Sequence, residues 1–238
     1  MRQGTKWIAQ LWMEQALVQP SWHDASVAFW PLADEHNGHP IAPRYASVEA
    51  ALTSGLELRP VAGRLQAAAL PILAPIMARG DGLTVALWCR RDAPSAASTA
   101  DPQAENELLS LSPRLESLRP RGSVRLFLRG AHIGASALGT QLGPQGPALP
   151  VGFWFVVILV IDTAVGQTSL ILSDGRQLIP VSSAGVEMAA EHKQAMADSL
   201  ATDVTLGAQG LSVFSVQVLS VPLDRKEQLA LTRRNRPP

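Results

Sequence analysis

The longest apolar run in the chain, Phe153 to Ile161, limits the folds that this sequence can adopt. Its nine residues are too few to cross a bilayer as a helix, which needs about 20. The run is rich in Phe, Val and Ile and is bounded by Pro150, Gly152 and Asp162, a pattern typical of a β-strand. Because every position is apolar, we expect both faces of this strand to be covered, as in the centre of a two-sheet sandwich.

The residues after this run complete a predicted β-hairpin. The stretch TAVGQ (163–167) is a turn, SLILSD (169–174) is a second strand, and DGR (174–176) closes it. Another strong strand is LTVALWCRR (83–91), in which apolar side chains alternate between two faces. Further strand-like segments are SVAFWPL, NELLSLS, SVRLFLRG, DVTLG and FSVQVLSVPL, and LELRP and GRLQAAAL are weaker candidates. Short strands separated by Gly and Pro turns predict an all-β fold, a two-sheet antiparallel sandwich.

Three segments have helical patterns instead. Residues 5–19 are predicted to form an N-terminal helix, residues 186–200 an inserted helix, and residues 223–233 a short C-terminal helix with Asp224 as its N-cap. We therefore divide the chain into an N-terminal helical arm (1–25), a β-sandwich (26–232) and a basic tail (233–238). On the arm, one apolar face either packs on its own domain or binds a partner subunit, and its residues are Trp7, Ile8, Leu11 and Trp12.

The amino-acid composition indicates which kinds of partner and which cellular compartment we expect for this chain. Lys plus Arg and Asp plus Glu each number 20, so the neutral chain is not built to capture nucleic acid. No segment predicts membrane insertion, and the first residues lack the features of a signal peptide. The single cysteine, Cys89, permits no disulfide within one chain. We expect synthesis and folding in a reducing cytoplasm, with Cys89 packed in the core.

Four stretches together resemble the laminin-G-like and pentraxin-like branch of the concanavalin A-like lectin/glucanase superfamily. They are SVAFWPLADEHNG (26–38), GLTVALWCRR (82–91), the hairpin segment 152–178, and the closing segment 204–232. The resemblance implies two antiparallel sheets packed as a jelly roll. It does not imply one function, because this fold hosts lectins, glycosidases and interaction modules.

The acidic residues do not predict an enzyme. A retaining glycosidase needs two carboxylates roughly 5 Å apart at one cleft. Here the acidic pairs, such as Glu105 with Glu107, fall in segments that we interpret as loops or helices rather than strands. We therefore expect no catalytic residues.

Few residues are candidates for ligand binding. Asp34 and Asn37, in the loop ADEHNGHP, are candidate calcium ligands, although a turn of this composition forms for backbone reasons alone. Apart from calcium, no cofactor is expected. Tyr45, which we place in a loop after Pro43, is the best candidate aromatic for stacking on a sugar. The strand tryptophans Trp88 and Trp154 are expected in the core.

Two functional hypotheses remain. The first is a non-catalytic structural or interaction protein of a large assembly, by analogy a bacteriophage virion component in the tail, fibre or capsid decoration. Its partners would be other subunits or further copies of this chain. The alternative is a lectin-like, carbohydrate-binding module that recognises surface glycans.

Overall fold

The computed structural model describes residues 26–31, 45–46, 59–61, 64–70, 82–93, 104–113, 116, 122–144, 146–186, 202–207 and 211–234. The strands in these ranges are β1 (Ser26–Pro31), β2 (Tyr45–Ala46), β3 (Arg59–Val61), β4 (Arg64–Leu70), β5 (Gly82–Arg91), β6 (Glu105–Pro113), β7 (Val124–Arg129), β8 (His132–Ala137), β9 (Thr140–Leu142), β10 (Trp154–Asp162), β11 (Gln167–Ser173), β12 (Leu178–Gly185), β13 (Thr202–Leu206) and β14 (Leu211–Leu219). Helix α1 (Arg225–Arg234) follows the last strand.

These strands form two sheets. The first sheet has the order β12-β11-β10-β5-β14-β1-β2, and the second has the order β3-β4-β13-β6-β7-β8-β9. All neighbouring strands within each sheet run antiparallel. The predicted all-β fold of two antiparallel sheets is therefore confirmed, and so is the predicted hairpin, which is β10 and β11.

The main core lies between the two sheets. Alternate residues of β10 and β5 point into it, and both strands lie in the middle of the first sheet. The second sheet contributes the facing side chains of β6, β7 and β8. The largest fully buried side chains in this core include Leu83, Leu87, Leu109, Leu126 and Ile133. The alternation predicted for residues 83–91 is confirmed, because Cys89 shares the inner face with Leu83 and Leu87.

A second, smaller core explains why β10 is apolar at every position from Trp154 to Ile161. The outer face of the first sheet presents Val156, Ile158 and Trp88, and Leu223 and Leu231 from the C-terminal segment cover them. The strand is thus buried on both faces, as predicted, and the second cover is this chain's own C-terminal segment. Burying an apolar side chain of this size contributes roughly 1.5–3 kcal/mol, so α1 is part of the stable fold.

The start of α1 has the reciprocal side-chain to backbone bonds of a capping box. The Glu227 N–H donates to Asp224 Oδ1 at 2.8 Å, and the Asp224 N–H donates to Glu227 Oε2 at 2.9 Å. The prediction of Asp224 as N-cap is therefore confirmed. The helix spans 225–234 instead of the predicted 223–233, so residues 233 and 234 of the predicted basic tail are helical.

Two other predicted helices cannot be compared with the structure. Residues 5–19 and 187–200 lie outside the described residues. At the edge of the second of these segments, Val186 is buried and its N–H donates to Gly166 O at 2.8 Å. Residue 186 therefore continues the end of β12 instead of beginning a helix.

Two buried threonines on the first sheet provide a matched test of polar burial. The Thr168 hydroxyl is buried and has no hydrogen-bond partner, whereas the Thr84 hydroxyl donates to Val221 O at 2.7 Å and accepts from Leu223 N–H at 3.0 Å. We expect T168V to raise the free energy of unfolding by about 1 kcal/mol, since it removes an uncompensated desolvation cost.

The control, T84V, should lower that free energy by about 2 kcal/mol, because it leaves Val221 O and Leu223 N–H unpaired. Urea denaturation followed by tryptophan fluorescence measures both values. If T168V were destabilising to the same extent as T84V, this interpretation of Thr168 would be wrong.

Candidate functional site

A groove of about 950 Å³ opens at the end of the first sheet where β10 begins and β11 ends. Residues from the segment before β10, from β10 itself and from the turn after β11 line it. Apolar side chains form most of the wall, and the turn after β11 adds a carboxylate and a guanidinium. A concave apolar surface with a few convergent polar groups is the usual form of a small-ligand site.

The segment before β10, residues 147–153, forms one wall of the groove, and we name it the rim segment. Its Leu149 is buried in the core, and the Leu149 N–H donates to Ala131 O at 2.8 Å in the β7–β8 turn. Its Gly152 N–H donates to Arg91 O at 2.8 Å, and Arg91 Nη1 donates to Leu149 O at 3.3 Å. Because these bonds reach both sheets, the rim segment is fixed in place.

Two aromatic residues lie at the junction of the rim segment and β10. Phe153 is 68% exposed, whereas Trp154 is half-buried. The Trp154 ring meets the Phe214 ring edge-on at a centroid distance of 5.8 Å, and the Arg90 guanidinium lies 4.9 Å from the Trp154 ring centre. Trp154 was predicted to be a core residue, and it packs against the second core while being only half-buried, because it is the first residue of β10. The prediction for Trp88 is confirmed, since Trp88 is buried.

The opposite wall is the tight turn that joins β11 to β12. Asp174 Oδ1 accepts from the N–H groups of Arg176 at 2.8 Å and Gln177 at 3.1 Å. These backbone bonds hold the pKa of Asp174 below its usual value, and the bond from the Arg176 N–H has the largest effect. The exposed Arg176 guanidinium is attracted electrostatically to this carboxylate, and within the described residues it has no hydrogen bond or ion pair. The turn therefore presents a fixed carboxylate and an available cation.

A smaller cavity of about 420 Å³ lies between β11, β12 and α1. Serine, glutamine, proline and aliphatic side chains line it, together with Arg225, and it contains no aromatic residue. One polar group in its wall, Gln228 Nε2, already donates to Leu223 O at 2.7 Å. The groove beside the rim segment is the better candidate site because it alone of these two cavities has an exposed aromatic surface.

The residues that the sequence suggested as binding sites are not part of this groove as far as the structure describes them. Tyr45 lies in β2, opposite Phe29 of β1, and not in a loop as predicted. The other predicted binding residues lie outside the described residues; they are Trp7, Ile8, Leu11, Trp12, Asp34 and Asn37.

In the part of the chain that is described, no three His, Cys, Asp or Glu side chains are grouped as metal ligands would be. No helix in that part has the length and apolar character needed to span a membrane.

The acidic pair Glu105 and Glu107 lies on strand β6, which corrects its predicted place in a loop. Arg125 Nε is 2.9 Å from Glu107 Oε2, and Arg125 Nη2 is 3.9 Å from Glu105 Oε2. Arg129 also bonds to Glu105. Both carboxylates are therefore held in a cross-strand ion-pair ladder, an arrangement that stabilises neighbouring strands. Nothing about this ladder resembles a nucleophile and acid/base pair facing a cleft.

Cys89 lies on the inner face of β5, opposite Phe155 of β10. The side chain is fully buried, and burial alone raises the pKa of its thiol. A buried thiol held in its protonated form is a poor nucleophile. The predicted packing role of Cys89 is confirmed.

Comparison with known proteins supports the fold. No protein-family model matches the chain, and no curated protein matches it in sequence. The binding domain of botulinum neurotoxin serotype D/C has a TM-score of 0.56 at 9% identity, covering 91% of this chain and 53% of that domain. The serotype C1 binding domain has a TM-score of 0.56 at 8% identity, with coverages of 91% and 53%. This chain thus spans about half the length of the toxin domains.

A third solved structure is the CBM40 domain of the Ruminococcus gnavus IT-sialidase, bound to α2,3-sialyllactose. Its TM-score is 0.46 at 18% identity, over 69% of this chain and 90% of that one. Because the sequence identities are 18% or lower, these comparisons establish the fold of this chain and nothing about its function. That fold is the two-sheet β-sandwich found in the toxin binding domains.

Proposed function

We propose that this protein is a non-catalytic carbohydrate-binding domain whose site is the groove beside the rim segment. The observation that carries the proposal is the exposure of Phe153, 68%, at the mouth of a concave surface. Small-ligand sites are concave surfaces lined mainly by apolar and aromatic side chains with a few polar groups, and the groove has this composition. The flat ring suits the apolar C–H face of a sugar, and the neighbouring turn supplies groups that bond hydroxyls.

The fold is compatible with this proposal but does not carry it, since β-sandwiches host many functions. Among proteins of similar fold, the Ruminococcus gnavus domain has been solved with sialyllactose bound, and cell entry of botulinum neurotoxin type C depends on interaction with two ganglioside molecules. Membership of the concanavalin A-like superfamily, in its laminin-G-like branch, also remains our proposal. It is supported by the two antiparallel sheets and by the order of the four resembling stretches.

The hypothesis of an assembly subunit, such as a virion component, now ranks second. It rests on the lack of a catalytic carboxylate pattern, on the basic tail, and on the N-terminal arm and the inserted helix, and the arm and residues 187–200 lie outside the described residues. No feature of the described part of the chain favours a place in a phage particle. That hypothesis stays a prediction, and glycan recognition is the function that the groove supports best.

The test is a glycan screen followed by titration calorimetry on the best ligand. We expect F153A to weaken binding by about 10-fold, equivalent to about 1.4 kcal/mol, because the variant removes the stacking surface while leaving the fold unchanged. The matched control is V165A. Val165 is 69% exposed and lies beyond the other end of β10, about 30 Å from Phe153 at the rise of an extended strand.

V165A should bind as the wild-type protein does. Equal affinities for F153A and the wild-type protein would move the site away from this groove. The absence of any glycan ligand from the screen would overturn the proposed function itself.

A further inference from the structure

We infer that the groove selects acidic glycans, and that the Arg176 guanidinium binds the carboxylate of a sugar such as sialic acid or a uronic acid. This inference rests on the proposed function, since it specifies the ligand class of the same site. The preference for acidic glycans follows from which charged groups around the groove are already hydrogen-bonded or ion-paired within the protein and which can still bind a ligand.

The charges at the turn after β11 are arranged unequally. The Asp174 carboxylate accepts two backbone N–H groups of its own turn at 2.8 and 3.1 Å. The Arg176 guanidinium is attracted electrostatically to this carboxylate, but it has no hydrogen bond or ion pair among the residues that the structure describes, so its N–H donors remain available. The carboxylate therefore serves the turn, and the guanidinium is left to bind a ligand.

The other charged groups beside the groove are engaged in holding the protein together. Arg90 Nε lies 3.5 Å from Asp92 Oδ1, and the Ser212 hydroxyl donates to the Asp92 carboxylate at 2.9 Å. Arg91 Nη1 donates to Leu149 O and so fixes the rim segment.

The described charged residues at or beside the groove are the two in its lining, the arginine that holds the rim segment, and the ion pair beside Trp154. They are three arginines, Arg90, Arg91 and Arg176, and two aspartates, Asp92 and Asp174. One positive charge remains, and the carboxylate of one acidic sugar would neutralise it.

The chemistry of the two walls is complementary for such a ligand. A guanidinium presents a planar fork of N–H donors that matches both oxygens of a carboxylate. Phe153 in the rim segment, which also lines the groove, has an exposed aromatic ring on which the same or the adjacent sugar could stack. Affinity for the sugar ring and preference for an acidic group are thus assigned to different residues, which permits each to be tested alone.

The experiment titrates two ligand pairs into the full chain by calorimetry. One pair is 3′-sialyllactose and lactose, and the other is a glucuronate-containing disaccharide and its neutral glucose counterpart. We expect at least one acidic ligand to bind about 10-fold or more tightly than its neutral partner, since a charged hydrogen bond is lost in the neutral sugar. The pair that shows this difference identifies the acidic sugar.

Variants separate the two assigned roles. R176Q retains the backbone N–H that bonds to Asp174, so the turn stays intact, and it should bind the acidic ligand as weakly as the neutral one. R176K keeps the charge without the planar fork and should fall between R176Q and the wild-type protein. F153A should weaken acidic and neutral ligands alike. R233Q, at an exposed arginine of α1, is the control and should change nothing.

The failures of the two proposals are distinguishable. If the wild-type protein binds acidic and neutral sugars equally, the acidic selection is wrong. If R176Q retains the preference, the role assigned to Arg176 is wrong. In both cases the carbohydrate-binding proposal stands. If no sugar binds, both are wrong.

Discussion

Replacing Gly82 by alanine is expected to remove most of the stability of this fold. Gly82 begins β5 and lies opposite Asp162 at the end of β10. It has a φ of +154°, and an added Cβ would lie 1.9 Å from Ile161 O and 2.9 Å from Ile161 C. Both atoms belong to the backbone of a central strand, so neither can move without separating β5 from β10. We expect a loss of more than about 4 kcal/mol, a size seen only when a core element is disrupted.

Gly152 provides the matched control for this prediction. It also has a positive φ, +81°, but an added Cβ would meet nothing within 4 Å. G152A therefore isolates the conformational cost of a left-handed backbone, about 1–2 kcal/mol. Urea denaturation of both variants and the wild-type protein gives the comparison. Similar losses of stability in G82A and G152A would show that the close contact with Ile161 O is not restrictive.

The strands that the sequence predicted correctly are those with a simple apolar pattern. β5 alternates cleanly between its two faces, and β10 is apolar throughout, so neither has another reasonable interpretation. β8 and β12 were not predicted. β8 is rich in Gly, Ala and Ser, and β12 contains Pro180 and ends at Gly185, so neither has the β-branched and aromatic content typical of strands. Pairing with neighbouring strands, and not local preference, makes them strands.

The candidate site was harder to predict than the fold. In the sequence Phe153 and Trp154 continue the apolar run, so nothing local shows that the strand begins at Trp154 and leaves Phe153 exposed. That boundary depends on bonds between the rim segment and distant residues, such as Gly152 N–H to Arg91 O. The one usable signal was the pair Pro150 and Gly152 just before the run, since Pro and Gly favour a turn there.

Replacing Leu231 by alanine is expected to destabilise the protein by about 3 kcal/mol, within the range for a large-to-small change in a core. Leu231 is 2% exposed and packs with Trp88, Val156 and Ile158 on the outer face of the first sheet. The sheet cannot close over the lost volume, because its strands are held by pairing on both sides. Urea denaturation measures the loss, and binding of a hydrophobic dye reports whether the outer face becomes accessible.

Leu229 tests whether this effect comes from burial or from the helix itself. It lies two residues earlier on α1 and is only half-buried, so L229A makes the same chemical change with the same gain in helix propensity. We expect L229A to cost less than about 1 kcal/mol and to leave dye binding unchanged. If L229A and L231A were equally mild, α1 would be an appendage and not the second cover of β10. A large loss confined to L231A would instead show that α1 is an essential part of the cover over Val156 and Ile158, to which Leu223 just before the helix also contributes.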